Sequence, residues 1–136
     1  MTDLKHKLPP MGWNSFCSMN CEPNQQTIME AADAMVETGL YDAGYKYVNL
    51  DDGWIEKERG KDGKLVVRKD RFPDGMKAVF DYIRSKGMIP GIWLEIEVMG
   101  IHCPLAKSLP DDWFFMRHGR RVIDHGRYQL DFRNEN

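Results

Sequence analysis

The chain has 136 residues, enough for one ordinary domain with a hydrophobic core. Its formal net charge of −2 and its 29% of charged residues are typical of a globular protein, with no basic excess to neutralise a phosphate backbone. No apolar run approaches the roughly 20 residues that a membrane helix needs. We therefore expect neither a nucleic-acid partner nor a membrane partner.

The N-terminal residues and the cysteines predict a cytoplasmic location. Residues 1–7 are polar, without an apolar stretch of signal-peptide length. Cys17, Cys21 and Cys103 are odd in number, which argues against a complete disulfide framework. Cys17 and Cys21 resemble half of a zinc site, but no second pair completes it, so buried thiols are expected instead.

The first predicted elements are a short strand and an amphipathic helix. Residues 10–16 are typical of a strand that breaks into a loop. A helix is expected over about residues 26–38, because Thr27 and Glu30 form a capping-box pattern and Gly39 suits the left-handed position after a helix end. Apolar side chains recur along it at helical spacing, at Ile28, Ala31, Ala32, Met35 and Val36.

A second strand and a second helix follow. Residues 45–50 are rich in β-formers and too short for a helix. A hairpin turn is expected at residues 61–64. Asp74 is a candidate N-cap of the second helix, and Gly87 suits its end. The apolar face of that helix comprises Met76, Val79, Phe80 and Ile83.

The third strand is expected over residues 88–94. Strands that alternate with helices of this length imply parallel strands joined by crossovers, and so an α/β fold. Beyond residue 98 the pattern is less regular. It indicates a helical turn after Pro104, a hairpin around Gly119 and one more short strand at residues 128–132.

Aromatic and acidic side chains lie where the three predicted strands end. The first strand ends in Trp13-Asn14, the second in Asp51-Asp52 and the third in Trp93-Leu94-Glu95. In parallel α/β folds, binding sites gather at the carboxyl ends of the strands. Aromatic rings offer apolar faces on which sugars stack, so this pattern predicts a carbohydrate site.

Asp51 and Asp52 suit sugar binding better than catalysis. Retaining glycosidases need two carboxyl groups about 5 to 5.5 Å apart on opposite sides of the scissile bond. The side chains of adjacent strand residues point to opposite faces of the sheet, so they cannot lie on either side of one glycosidic bond. With Asp52 in a turn, both carboxylates could accept hydrogen bonds from neighbouring sugar hydroxyls. The alternative is that one aspartate caps the following turn.

On the third strand, Trp93, Glu95 and Glu97 would share one face, an arrangement that suits a sugar ring and its hydroxyls. Trp93 could equally fill the interior of the fold. The glutamates suit a salt bridge or a loop anchor, and a divalent metal held by both together with His102 is a further alternative. By default Arg127 is a solvated arginine, because no partner for it stands out in the sequence.

Longer motifs resemble the melibiase family of α-galactosidases. Four early segments carry this resemblance, and they are PPMGWNS (9–15), DAGY (42–45), NLDDGW (49–54) and RFPDGM (71–76). Three later segments are more similar to the related bacterial cytoplasmic α-galactosidases, and they are GIWLEIE (91–97), PDDW (110–113) and GRYQLDF (126–132). The matches keep their order and extend from about residue 8 to the C terminus.

The resemblance implies a (β/α)8 TIM barrel that hydrolyses terminal α-galactosides by double displacement through a covalent glycosyl-enzyme. It implies that Trp13 lines the galactose pocket and that Asp51 and Asp52 bind sugar hydroxyls. Trp93 corresponds to a pocket aromatic at the end of the third strand, and Arg127 to an arginine that contacts substrate in the bacterial branch. No cofactor is implied.

The sequence departs from the family pattern at two positions. Secreted relatives have a cysteine at the position of Gly53, used for a disulfide to the neighbourhood of Cys17. Its replacement here fits a reduced, cytoplasmic protein. The bacterial pattern also has a proline at the position of Ile96, which leaves the course of that loop open.

The catalytic carboxylates of the family fall later in its sequence. A Lys-x-Asp motif on the fourth strand supplies the nucleophile and a later aspartate supplies the acid/base, and neither matches a residue of this chain. We therefore expect residues 1–136 to be one partial domain, the N-terminal three to four strands of the barrel, truncated before the fourth barrel strand. Its own residues would bind substrate without catalysing hydrolysis, and no metal is expected.

Alternatives to this interpretation remain open. The chain could be a non-catalytic carbohydrate-binding or regulatory remnant of the barrel, or a second chain could complete the barrel. Within the enzyme class, α-N-acetylgalactosaminidase and other α-glycosidases stay open, because the specificity loops come from later strands.

Overall fold

The computed structural model describes residues 9–133, which form two compact units. The first unit comprises the residues up to Ile55 together with Val67–Trp93. The second comprises Glu56–Val66 and the residues from Leu94 onwards. That residues 1–136 form one partial domain stays a prediction.

The first unit contains a three-stranded parallel sheet. Its strands are β1 (Gly12–Asn14), β2 (Tyr47–Leu50) and β3 (Ile89–Ile92), in the order β1–β2–β3. Between them lie the short helix α1 (Phe16–Met19) and the longer helices α2 (Gln25–Glu37) and α3 (Gly75–Ser85). The predicted alternation and the parallel strand direction are therefore confirmed, and the unit belongs to the α/β class.

Helix α2 begins one residue before its predicted start, and its cap differs from the predicted one. Asn24, not Thr27, is the N-cap. The Asn24 Oδ1 accepts a hydrogen bond from the Thr27 backbone N–H at 3.0 Å, and the Thr27 Oγ1 accepts one from the Asn24 N–H at 3.1 Å. An asparagine side chain reaches the N3 amide as well as a threonine does, so the reciprocal box forms one turn earlier than predicted.

Asp74 is the N-cap residue of α3, as predicted, but its side chain does not cap the helix. Its Oδ2 instead accepts a hydrogen bond from the Gln25 Nε2 at 2.6 Å, while the Asp74 backbone N–H donates to the Gln25 Oε1 at 3.1 Å. Asp74 thus ties the start of α3 to the start of α2. Gly39 and Gly87 follow the two helices with φ of 78° and 79°, which confirms both helix ends.

The core of the first unit lies between the sheet and the two long helices. Its fully or nearly buried members come from the sheet, the helices and the segments that connect them, and they are Ile28, Ala32, Met35, Val48, Leu50, Trp54, Phe72, Val79, Ile83 and Met88. Val48 and Leu50 alternate with less buried residues along β2, so one face of the sheet is covered by helices. The predicted apolar faces pack here through Ile28, Ala32 and Met35 on α2 and through Val79 and Ile83 on α3. Val36, also expected on the face of α2, is instead 41% exposed.

The second unit is built from short antiparallel strands. Its elements in chain order are β4 (Val98–Gly100), α4 (Pro104–Ser108), a 3-10 helix (Asp111–Trp113), β5 (Met116–Arg117), β6 (Arg120–Arg121), β7 (Ile123–Asp124) and β8 (Arg127–Gln129). The strand order is β4–β8–β7, and β5 pairs with β6 around Gly119 as predicted. The strand expected at residues 128–132 is found at β8, but it is antiparallel to both neighbours and is not a fourth parallel strand.

The second unit has its own small core. Cys103, Ala106 and Phe114 are buried together, with Tyr128 packed against them. The Phe114 and Tyr128 rings meet edge to face at 5.4 Å, and the Arg121 guanidinium lies 3.9 Å from the centre of the Phe114 ring. Stacking on an aromatic face stabilises a cation, and it fixes the Arg121 side chain over this core.

The three cysteines are free thiols, and only one of them is buried. Cys103 lies in the core of the second unit, whereas Cys17 and Cys21 are exposed. The expectation of buried thiols is therefore wrong for Cys17 and Cys21, because α1 and the turn after it lie on the surface. Within residues 9–133, no helix is both long enough and apolar enough to span a bilayer.

Candidate functional site

Three of the residues singled out in the sequence lie at one edge of the parallel sheet. Asp51 and Asp52 directly follow β2, and Trp93 directly follows β3. The Trp93 backbone N–H donates to the Leu50 carbonyl at 2.8 Å, which continues the ladder between β2 and β3 by one step. Because the strands are parallel, these residues emerge together at the carboxyl edge.

Asp51 is held by the last residue of β1 and by the residue that follows it. Its Oδ2 accepts a hydrogen bond from the Asn14 Nδ2 at 2.9 Å, and its backbone N–H donates to the Ser15 Oγ at 2.9 Å. Its Oδ1 accepts from the Asp52 backbone N–H at 2.8 Å. A carboxylate has about four acceptor positions, so Asp51 keeps acceptor capacity for a ligand after these bonds.

Asp52 is held by the turn that it begins and by the segment after α1. Its Oδ1 accepts from the Gly53 backbone N–H at 2.6 Å, and its Oδ2 accepts from the Cys21 thiol at 3.4 Å. Asp51 and Asp52 each accept the amide of the next residue, so the turn-capping role weighed for one aspartate applies to both. Their remaining acceptor positions suit hydroxyl donors.

The negative charge of the acidic pair acts on the neighbouring thiol of Cys21. Local desolvation raises the pKa of the Cys21 thiol, and the hydrogen bond to Asp52 together with the charges of Asp52, Glu22 and Asp51 raises it further. Within residues 9–133, neither Asp51 nor Asp52 is in an ion pair with a basic side chain. Such a pair of carboxylates recognises a neutral ligand with several hydrogen-bond donors more readily than it recognises an anion.

Trp93 is half-buried beside the acidic pair. Its carbonyl accepts a hydrogen bond from the indole Nε1 of the buried Trp54 at 3.3 Å. Trp54 therefore links the turn after Asp52 to the end of β3. The Trp93 main chain thus donates one hydrogen bond to Leu50 and accepts one from Trp54. Together these two bonds fix the Trp93 backbone at the end of β3.

Trp13 packs against the core of the first unit. In the register of the sheet, Trp13 is paired with Val48, and its half-buried side chain packs against the helix-covered core. The next residue, Asn14, is the one that contacts Asp51. This geometry favours a packing role for Trp13, and its role as a lining residue of a sugar pocket stays a prediction.

Arg127 belongs to the second unit, where it begins β8. It forms an ion pair with Glu95, and its side chain is 44% exposed. This exposure agrees with the default expectation of a solvated arginine, and the salt bridge weighed for Glu95 is present, with Arg127 as its partner. Glu97 accepts the Ile96 backbone N–H at 3.1 Å, as a loop anchor would.

The face expected to unite Trp93, Glu95 and Glu97 does not form, because β3 ends at Ile92. The chain after Trp93 leaves the sheet and enters the second unit, so strand alternation no longer sets the directions of these side chains. Across residues 9–133, no three histidine, cysteine, aspartate or glutamate side chains come together in a way that could hold a metal ion.

Sequence reasoning assigned no role to Asn14 or Ser15, which support Asp51. Ser15 is fully buried, and its backbone N–H donates to the Asn49 carbonyl at 3.1 Å. Both residues belong to the PPMGWNS motif, directly after Trp13, so a polar pair at the end of a strand was the available signal.

Comparisons with known proteins agree on one family. The family model described as "Alpha galactosidase A" (Melibiase_2) matches residues 8–106. The chain is 51% identical over 87 residues to an α-galactosidase of Coffea arabica, and the matched region covers 64% of this chain and 23% of that relative. It is 48% identical over 101 residues to α-galactosidase 2 of Arabidopsis thaliana, covering 74% and 26%.

Solved structures show the same likeness. The crystal structure of α-galactosidase I from Mortierella vinacea matches with a TM-score of 0.60 at 39% identity, over 62% of this chain and 21% of that one. AgaA, an α-galactosidase from Geobacillus stearothermophilus, matches with a TM-score of 0.71 over 93% of this chain and 17% of that one. At 23% identity the second match supports the fold alone. The chain spans about a fifth to a quarter of the length of the curated relatives it matches.

Proposed function

Because the chain belongs to the α-galactosidase A family, we propose that it carries the galactose-binding carboxylates of an enzyme that hydrolyses terminal α-galactosides. The observation that carries this proposal is the acidic pair Asp51–Asp52 at the carboxyl edge of the parallel sheet, beside Trp93. Both side chains are oriented by hydrogen bonds from their own surroundings before any ligand arrives. Such preorganisation lowers the entropic cost of binding.

The proposed architecture is a (β/α)8 barrel, of which β1, β2 and β3 with α2 and α3 are the first part. Active sites of such barrels lie at the carboxyl ends of the strands, which is the edge where Asp51, Asp52 and Trp93 lie. One structural neighbour, an α-galactosidase of Saccharomyces cerevisiae, was solved with raffinose. This supports a galactoside as the ligand class of the proposed site.

The proposed division of labour separates binding from chemistry. A retaining double displacement needs a nucleophile and an acid/base on opposite sides of the glycosidic bond. Asp51 and Asp52 are adjacent in sequence and anchored to neighbouring loops, so we assign them to sugar hydroxyls. Trp93 offers its ring to the apolar face of the sugar, and Arg127 is proposed as a further substrate contact.

A reducing compartment, such as the cytoplasm, is also proposed. Cys17 and Cys21 are exposed and free. At Gly53, where secreted relatives of the family carry a cysteine, an added Cβ would lie 2.3 Å from the Cys21 carbonyl oxygen. Exposed cysteine thiols that form no disulfide persist best where the redox environment keeps them reduced. Cell fractionation tests this proposal, and recovery in an oxidising compartment would contradict it.

Calorimetric titration of the 136-residue chain with galactose tests the binding proposal. We expect saturable binding that weakens by about tenfold to a hundredfold in Asp51→Asn and in Asp52→Asn, because a hydrogen bond to a charged acceptor contributes about 1.5–3 kcal/mol. Asp62→Asn removes an exposed carboxylate in the hairpin turn and is the matched control, with unchanged affinity expected. Equal affinities in all four proteins would contradict the assignment.

A further inference from the structure

The guanidinium of Arg71 lies between the loops that hold Asp52. Arg71 belongs to the RFPDGM motif at residues 71–76, and its side chain is only 13% exposed. The Nη1 donates to the Cys21 carbonyl and, at 3.5 Å, approaches the Gly53 carbonyl. The Nη2 forms an ion pair with Glu22, whose own side chain is 76% exposed.

The two carbonyls that Arg71 approaches belong to the residues that contact Asp52. The Gly53 N–H donates to the Asp52 Oδ1, and the Cys21 thiol donates to the Asp52 Oδ2. Cys21 and Gly53 are in close contact, since an added Cβ at Gly53 would lie 2.3 Å from the Cys21 carbonyl oxygen. One planar guanidinium therefore holds together both residues that orient this carboxylate.

The main chain of Arg71 is itself fixed. Its carbonyl accepts the Gln25 backbone N–H at 2.9 Å, at the start of α2, and its N–H donates to the Arg68 carbonyl at 3.3 Å. A guanidinium has five N–H donors in a rigid planar fork, which suits the two carbonyls and the Glu22 carboxylate. A lysine ammonium is a compact charge on a flexible chain and lacks this fixed geometry.

We propose that Arg71 is a positioning residue for Asp52, which keeps the carboxylate oriented for a sugar hydroxyl. This inference rests on the proposed function. Arg71 acts on Asp52 through Cys21 and Gly53. Its loss lets the segment at residues 20–23 separate from Gly53, and the Asp52 side chain then adopts several orientations.

The experiment compares galactose affinity in Arg71→Met, Arg71→Lys and Glu22→Gln, each measured at a temperature where circular dichroism shows the folded state. We expect about a tenfold loss in Arg71→Met, a smaller loss in Arg71→Lys, and less than about a twofold change in Glu22→Gln, which removes only an exposed ion pair. The Gly53 amide resonance is followed as well, because it reports the hydrogen bond to Asp52. A residue that only stabilises the fold would lower the melting temperature without moving this resonance or the affinity.

Each result decides the inference. A weakened affinity with a shifted Gly53 amide, in whichever Arg71 variant folds, supports it. Wild-type affinity in a folded Arg71 variant, while Asp52→Asn loses binding, overturns the inference and leaves the proposed function standing. Absence of galactose binding by the unmodified chain overturns the proposed function and this inference together.

Discussion

Gly53 occupies a position that even a methyl group would disturb. Its φ is 97°, and an added Cβ would lie 2.3 Å from the Cys21 carbonyl oxygen and 3.0 Å from the Pro23 Cδ. An L residue at this φ is strained, and the close contact is with main-chain atoms that cannot rotate away. The absence of a side chain at residue 53 therefore lets the segment after α1 approach Asp52.

Gly53→Ala is expected to lower the free energy of unfolding by about 2–4 kcal/mol, because backbone strain and a main-chain clash add. Gly39→Ala is the matched control, since Gly39 also has a positive φ but has no atom within 4 Å of its added Cβ. That variant should lose only about 1 kcal/mol. Urea unfolding measures both, and equal losses would contradict a special role for the contact at Gly53.

At this scale the sequence predicts the acidic residues but not their supports. Asp51 and Asp52 stand out because they follow a strand. Asn14 and Arg71 do not, because their roles depend on how segments far apart in the chain approach each other. Asn14 contacts Asp51 across 37 residues, and Arg71 contacts Cys21 across 50. Neither separation follows from local periodicity.

Helices α2 and α3 are joined by a polar contact between Asp33, Tyr82 and Lys86. The Tyr82 hydroxyl donates to the Asp33 Oδ2 at 2.7 Å, and the Lys86 Nζ lies 2.5 Å from the Asp33 Oδ1. The hydrogen bonds from Lys86 and then Tyr82 lower the pKa of the Asp33 carboxyl below its usual value of 3.8. The folded state therefore favours ionised Asp33.

The lowered pKa fixes the direction of a pH effect on stability. Asp33 stabilises the fold fully above pH 3.8, and this contribution is lost as the pH falls through its lower pKa in the folded state. We expect the free energy of unfolding to decrease in that acidic window, and the decrease to be smaller in Asp33→Asn. Urea titrations between about pH 2 and about pH 6 measure it. Asp42→Asn is the control, and an Asp33→Asn curve parallel to the wild-type curve would contradict the assignment.

The long helices could be predicted from the sequence, whereas the short strands β4 and β7 could not. Helices α2 and α3 carry clear apolar faces, and the strands between them follow from composition and alternation. Strands β4 and β7 have three and two residues, too few for any periodicity to show. The antiparallel pairing of β8 depends on those strands, so its direction could not be predicted either.

At the scale of the whole molecule, binding and hydrolysis are expected to separate. The side chains of Asp51 and Asp52 are oriented by hydrogen bonds to neighbouring segments. We assign no catalytic role to any of the 136 residues. The chain also covers only about a fifth to a quarter of the length of its relatives. On the proposed function, these residues bind galactose without hydrolysing it, because a retaining double displacement needs a nucleophile and an acid/base that we assign to none of them.

Incubation of the purified 136-residue chain with a nitrophenyl α-galactoside tests this separation. We expect no release of nitrophenol above the rate of a buffer blank, at sugar concentrations that saturate the chain in the calorimeter. The Asp51→Asn and Asp52→Asn variants should give the same rate as the unmodified chain. Turnover that disappears in either variant would show that the acidic pair takes part in the chemistry.

The most direct test of the proposed site is a galactose titration followed by amide and indole resonances of the chain. We expect saturable shifts at Asp51, Asp52, Gly53 and the Trp93 indole, with the amides of α2 and α3 unchanged. A shift of the Trp13 indole would support its predicted place in the pocket, and an unchanged indole would support the packing role that its contact with the core favours. Shifts confined to other surfaces, or no shifts at saturating sugar, would contradict a galactose site at the carboxyl edge of the sheet.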